Sequence, residues 1–231
     1  MITNITPVLC NQKKMANYAY ILHNSSSSNA IIIDAAEEQP ITQALETLKL
    51  TPTHIITTHH HFDHVEGNLA LKERYDLSIL APIDEFDKIP GATTAIHPNQ
   101  DFTINNITFH PIKAKGHTNG HQLYYIPKLE ALFTGDVLFN LCIGGLFEGT
   151  PQQMFETLQT IKALPDNTKI FPGHEYTQHS ITKDMIEKPN FAPYLEKLYS
   201  RLQGNLAPST LQEEKLFNPY LIANTLEQFI G

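Results

Sequence analysis

The chain has 231 residues, 41% hydrophobic and 17% charged, which suits one large domain or a domain with a small appendage and excludes a disordered chain. Its 24 acidic and 16 basic residues give a net charge of −8 with no Lys/Arg-rich run, so the basic footprint of a nucleic-acid binder is missing. Cys10 and Cys142 are too few for a disulfide framework, no apolar run could span a bilayer, and the N-terminus lacks a signal-peptide pattern; a cytoplasmic protein away from membranes is expected.

Residues 18–22 (YAYIL) and 30–34 (AIIID) read as strands joined by the polar run HNSSSS. Residues 39–50 carry apolar side chains at helical spacing. The β-branched segment THIITT (53–58) reads as a strand, and a helical pattern restarts over 65–75. Between them lies TTHHHFDHVEGN (57–68), at the carboxyl end of a strand, where open α/β sheets place ligands. Further strands are expected at 107–112, 122–126 and 131–136, then a helix at 151–164 with Pro at its first position. TKIFPGHE (168–175) reads as a strand running into a loop. Beyond it no strand pattern occurs, and helices are expected at 191–203 and 209–217, the second with a Ser/Thr cap and Glu three residues later. The plan is an α/β domain over 1–175 and a small C-terminal helical domain over 176–231.

Four histidines and an aspartate fall between His59 and His64. In an extended loop His59 and His61 point the same way and His60 away, while Asp63 and His64 begin the next turn and can aim at a second point. One ion needs three or four protein ligands, so the cluster implies two ions or distant partners. Partners exist downstream: His117 in KGHTNGH, Asp136 in FTGD and His174 in FPGHE. Singly, each reads as a solvated or capping residue. If the strand ends meet at one rim, five imidazoles and two carboxylates share a site, which outweighs the alternative of a polar loop in a histidine-rich chain. His54, His60, His97, His110 and His179 lack the pattern and read as structural, and His121 could support a ligand from behind. Such nitrogen and oxygen donors suit zinc or iron, and carboxylates also admit manganese. Cys142, between Leu141 and Ile143, reads as a buried structural thiol.

THHHFDH resembles the T-H-x-H-x-D-H signature of the metallo-β-lactamase superfamily, and GHT, TGD and GHE follow in its order. The resemblance, over about residues 1–175, implies an α/β fold, the αββα sandwich of two mixed sheets. It also implies two divalent ions, zinc first and iron or manganese as alternatives. His59, His61 and His117 would hold one ion, Asp63, His64 and His174 the other, and Asp136 would bridge. Asp63 and His64 would also serve in catalysis.

A closer likeness is to the glyoxalase II family, the hydroxyacylglutathione hydrolases, through ANYAYIL, FEGTPQQM, GHEYT and the tail PSTLQEEKLFNPYL. This implies a monomeric metal-dependent hydrolase of small thioesters, turning S-lactoylglutathione into lactate and glutathione in methylglyoxal degradation. The alternatives are a persulfide dioxygenase, which the helical tail argues against, or a hydrolase of another thioester or a lactone. The family's glutathione contacts carry over only in part. Tyr176 is kept, but Gly145 and Phe147 stand where a Lys and a Tyr are expected, and Ile222 replaces a basic residue. Substrate would therefore meet Gly145, Phe147 and Tyr176, with weaker affinity for glutathione thioesters than a typical member has.

Overall fold

The computed structural model describes residues 3–11, 15–201, 206 and 208–231. The first sheet has the order β1 (Thr3–Cys10), β2 (Asn17–Asn24), β3 (Asn29–Ile33), β4 (Thr51–Ile56), β5 (Ser78–Pro82), β6 (Thr94–Ile96). β2 runs antiparallel to both β1 and β3, and β3 to β6 are parallel. The second sheet contains β7 (Phe102–Ile104), β8 (Ile107–Lys113), β9 (Gln122–Ile126) and β10 (Ala131–Gly135). After the small hairpin of β11 (Leu138–Phe139) and β12 (Cys142–Ile143), β13 (Lys169–Pro172) adds to its edge, parallel to β10.

The central strands of both sheets, such as β2, β3 and β10, are apolar on both faces because both faces are covered. In β2, Tyr18, Tyr20 and Leu22 point between the sheets, against Phe109, Tyr124, Phe133 and Phe171. Ala19 and Ile21 alternate to the outer face, under Ile41 and Leu45 of α1 (Glu38–Leu48). The second sheet turns Leu123, Leu132 and Ile170 outward onto Met154, Leu158 and Ile161 of α4 (Pro151–Lys162). The layers are therefore helix, sheet, sheet, helix, as expected. No helix of the described residues is long and apolar enough to cross a membrane.

Several elements differ from the sequence expectation: the strands β1, β5, β6, β7, β11 and β12 are additional to it, and one expected helix is divided. The helix expected over 65–75 is two, α2 (Phe62–Val65) and α3 (Asn68–Tyr75). The Asp63 carbonyl, which would accept from Gly67 in a continuous helix, takes the Asn17 side-chain amide at 3.0 Å, and the Gly67 N–H goes to Ala35 O at 2.8 Å. The unexpected strand β1 has polar residues in its first half and contains Pro7, but it lies at a sheet edge, where a missing N–H is tolerated.

After residue 175 come α5 (Thr177–Ser180), α6 (Lys183–Ile186), α7 (Phe191–Tyr199), α8 (Leu211–Phe217), α9 (Pro219–Ile222) and α10 (Leu226–Ile230). The expected capping box is present at Thr210 and Glu213. The helix expected over 191–203 ends at Tyr199, and 202–203 lie outside the described residues. Leu211, Leu221 and Phe229 join the cluster on α4, so this tail packs on the second sheet's outer layer.

Candidate metal centre

The ends of β4, β10 and β13 and the loop between β8 and β9 meet at one rim. Donor atoms of His59, His61 and His117 lie within 4.8 Å of one another, as do those of Asp63, His64 and His174. The Asp136 carboxylate lies between the triads. It is 3.2 Å from His64 Nε2, 3.2 Å from His174 Nε2 and 3.5 Å from His117 Nε2. A side chain at Gly173 would collide with that carboxylate and with the His64 ring, so glycine is required for the approach. His61 is half-buried and the other six are buried.

Each of four rings has its outer nitrogen held by a fixed partner, which turns the inner lone pair toward the cluster. His117 Nδ1–H donates to Gly145 O at 2.8 Å, and His174 Nδ1–H to Met15 O at 2.8 Å. His64 Nδ1 lies 3.0 Å from Asp34 Oδ2. The Thr58 hydroxyl donates to Asp34 at 2.8 Å, so its oxygen accepts from His59 Nδ1–H at 3.0 Å. Orientation of this kind is what metal-ligating imidazoles need. His59 Nε2 is buried without any hydrogen-bond partner, and the buried His64 Nε2 and Asp136 Oδ1 have their 3.2 Å ion-pair approach to each other but no well-directed hydrogen bond. Buried polar atoms normally have one. A divalent ion on each triad would satisfy all three, so the donor set fits.

Burial pushes His59 well below the usual imidazole range, and the charge of His64 adds to it. Burial lowers His61 and His117 as well. Burial would also lower His64 and His174, but carboxylates outweigh it. Asp136 and Asp34 raise His64 well above the ordinary value, and Asp136 with Asp63 brings His174 to about 9. Burial pushes Asp63 up, yet contact with His174, the charge of His64 and the Asn17 amide bring its carboxyl down to about 2.

Several residues that build the site were not expected from the sequence. Asp34, buried at a positive φ of 55°, accepts from Thr58 N–H at 2.7 Å and from Thr58 Oγ1, besides holding His64. Its signal was legible: like Asp136, it follows an apolar strand. Asn17 donates to Asp63 Oδ2 at 2.9 Å. Glu85, buried in the 3-10 segment Ile83–Lys88, accepts from His60 N–H at 2.7 Å, Gly120 N–H at 3.1 Å and the Thr118 hydroxyl. It ties the His59–His61 loop to the His117 loop, and nothing in IDEFDK distinguishes it from a solvated acid. His60 turns away from the cluster toward Glu85 and Glu148. His121 is buried, stacks on His59 at 4.8 Å and accepts from Asp136 N–H at 3.3 Å. Cys142 is only partly buried, a correction to the expected buried thiol; Ser180 donates to it, and burial first among the causes raises it to about 11.

Above the cluster opens a cleft of about 510 Å³, whose lining includes Gly145, Phe147 and Tyr176. In the tail Arg201 pairs with Glu213, Lys215 with Asp166 and Lys183 with Glu187, and none of the three lines the cleft. Ile222 lies on α9 and does not line the cleft.

Residues 15–174 match the sequence profile of the family described as the Metallo-beta-lactamase superfamily. A hydroxyacylglutathione hydrolase of Rhizobium meliloti is 42% identical over 212 residues, covering 90% of this chain and 83% of that protein. One from Brucella ovis is 40% identical over 210 residues, covering 89% and 82%. Among solved structures, ETHE1 from Myxococcus xanthus superposes with a TM-score of 0.77 at 24% identity, over 100% of this chain and 88% of that one, a likeness of fold.

Proposed function

Because this chain belongs to the metallo-β-lactamase superfamily and, within it, to the hydroxyacylglutathione hydrolases, we propose that it hydrolyses the thioester of S-(2-hydroxyacyl)glutathiones such as S-lactoylglutathione. The observation that carries the reading is the pair of donor triads, linked by Asp136, at the floor of an open cleft. His59, His61 and His117 would hold one divalent ion, Asp63, His64 and His174 the second, and Asp136 would be shared. Zinc is our choice for both, on the nitrogen-rich donor set. Such ions, when bound, lower the pKa of a shared water toward neutrality and polarise a carbonyl oxygen.

The chain's own residues supply the rest. Asp63, ionised from about pH 2 upward and fixed by Asn17, accepts a hydrogen bond from the attacking water and orients it. The water oxygen adds to the thioester carbonyl and its protons pass to solvent, the C–S bond breaks, and the products leave as a carboxylate and a thiolate. Thiols have pKa values of about 8.5, so the leaving group needs no strong general acid. Tyr176, raised to about 12 by burial first and by Asp136 and Asp63, stays a neutral phenol at the cleft wall.

The test is hydrolysis of S-lactoylglutathione by the metal-loaded protein, with metal analysis of the same sample. Turnover with about two ions per chain is expected. Oxygen consumption with a single iron would instead make the protein a persulfide dioxygenase.

Metal binding should also displace protons. In the metal-free protein His64 and His174 are protonated at pH 7 on the nitrogens that face the cluster, so loading both sites should release about two protons. Calorimetric titration in two buffers of different ionisation enthalpy measures this, and metal affinity should fall as the pH is lowered. The raised His174 value has the opposite effect on the metal-free fold. Its stabilisation is fully present below about pH 6.5 and is lost as the pH rises through about 9.

A further inference from the structure

The hairpin of β11 and β12 joins two parts of the metal centre. It leaves the second sheet just after Asp136 and returns to Gly145, whose carbonyl orients His117. Its stem is tight. The Gly144 N–H donates to Val137 O at 3.3 Å, and a side chain at Gly144 would collide with Asp136 O. Between these ends the hairpin lays Phe139 edge-on to His174, with ring centroids 5.7 Å apart. Only two residue pairs, Leu138 with Ile143 and Phe139 with Cys142, make its ladder. A ribbon that short does not hold its own shape. Its turn is also strained, because the buried Leu141 has a φ of 67°, which bulky side chains seldom adopt.

The support comes from the C-terminal tail. The Leu141 N–H donates to Glu214 Oε2 at 2.9 Å. Asn218 Nδ2 donates to the same oxygen at 2.9 Å and to Cys142 O at 3.2 Å. Glu214 lies on α8 and is fully buried, yet among the described residues no Lys, Arg or His pairs with it. Lys197 and Arg201 pair with its neighbour Glu213 instead. A buried carboxylate without a cation is costly to keep. Here it accepts from the strained turn and from the residue that braces that turn.

We propose that Glu214, together with Asn218, is a positioning residue for the metal centre. It fixes the turn of the hairpin, and the hairpin fixes Asp136 at one end and the carbonyl that aims His117 at the other. This rests on the reading of the triads as a divalent metal centre and does not depend on which thioester is cleaved.

The experiment measures zinc affinity of the full chain by competition with a chelator, beside denaturant unfolding of the metal-free protein. Glu214→Ala should weaken zinc binding about tenfold, the size expected when an orienting partner of a ligand is loosened. Glu214→Gln should keep the parental affinity, because its amide oxygen can accept from both donors. Phe229→Ala, in the same tail but packed against Phe155 of α4, should lower stability and leave zinc affinity unchanged. Should Glu214→Ala not fold, Asn218→Ser takes its place. Serine still caps the Tyr220 N–H but is too short to reach Cys142 O and Glu214. Parental zinc affinity in the folded variant, an equal loss in Glu214→Gln, or an equal loss in Phe229→Ala would each overturn the proposal. A parent that binds no zinc would overturn the metal-centre reading itself. Zinc affinities as expected with S-lactoylglutathione left intact would overturn the thioesterase reading and keep the positioning role.

Discussion

Asp63→Ala is expected to bind about one ion per chain instead of two and to lose at least about 10³-fold in turnover. The residue has two tasks in the proposed reaction, as a donor to the second triad and as the acceptor that aims the attacking water. Its position depends on distant residues. Asn17, at the start of β2, donates to Oδ2 at 2.9 Å, and His174, beyond β13, lies 3.4 Å away. Removing the carboxylate leaves His64 and His174 facing Asp136 alone, so the first triad keeps its donors and the second does not. The metal-free variant should also be about 2 kcal/mol less stable at pH 7, because a carboxyl lowered from 3.8 to about 2 stabilises the fold when ionised. That stabilisation is present above about pH 3.8 and disappears as the pH falls through about 2. Metal analysis, turnover and denaturant unfolding of one preparation check all three effects. Full turnover in the variant would refute the role of Asp63.

Asp34→Ala should be the most damaging change outside the donors themselves. Asp34 is buried and receives three hydrogen bonds, from Thr58 N–H at 2.7 Å, Thr58 Oγ1 at 2.8 Å and His64 Nδ1 at 3.0 Å. Each stranded buried donor costs about 1–3 kcal/mol, and breaking a buried ion pair about 3–5 kcal/mol, so a loss of about 3–5 kcal/mol in stability is expected. Metal affinity should fall about 10- to 100-fold, because His64 loses its orienting partner and Thr58, which holds His59, loses its own. Asp34→Asn separates the two effects. It preserves volume, but its amide nitrogen cannot accept a hydrogen bond, so one of the two carboxylate oxygens is lost as an acceptor. A variant with parental metal affinity, measured by competition with a chelator, would show that Asp34 serves the fold alone.

Much of the architecture was legible because it depends on local rules. The continuous apolar runs in YAYIL and AIIID mark strands covered on both faces, and Pro151 with Thr150 marks the start of α4. The unforeseen strand β1 and the broken helix over 62–75 depend instead on edges and distant partners. Pro7 reads as a strand breaker until the strand is known to lie at an edge. The break after Val65 comes from Asn17 and Ala35, 46 and 32 residues away in sequence from the groups they bind, Asp63 and Gly67.

The same division runs through the site. By itself the sequence pointed to the candidate donors and their order, because His59 to His64 are covalent neighbours and Asp136 and His174 follow apolar strands. Tertiary structure alone decided which nitrogen faces inward in four of the rings, through Asp34, Gly145 O, Met15 O and Thr58. It alone placed Glu85 between two loops and raised aromatic walls over the donors. The physical reason is that a polar side chain's role depends on the partner it meets. Apart from Thr58, adjacent to His59, the partners of these donors lie between 28 and 159 residues away, and no local pattern records them.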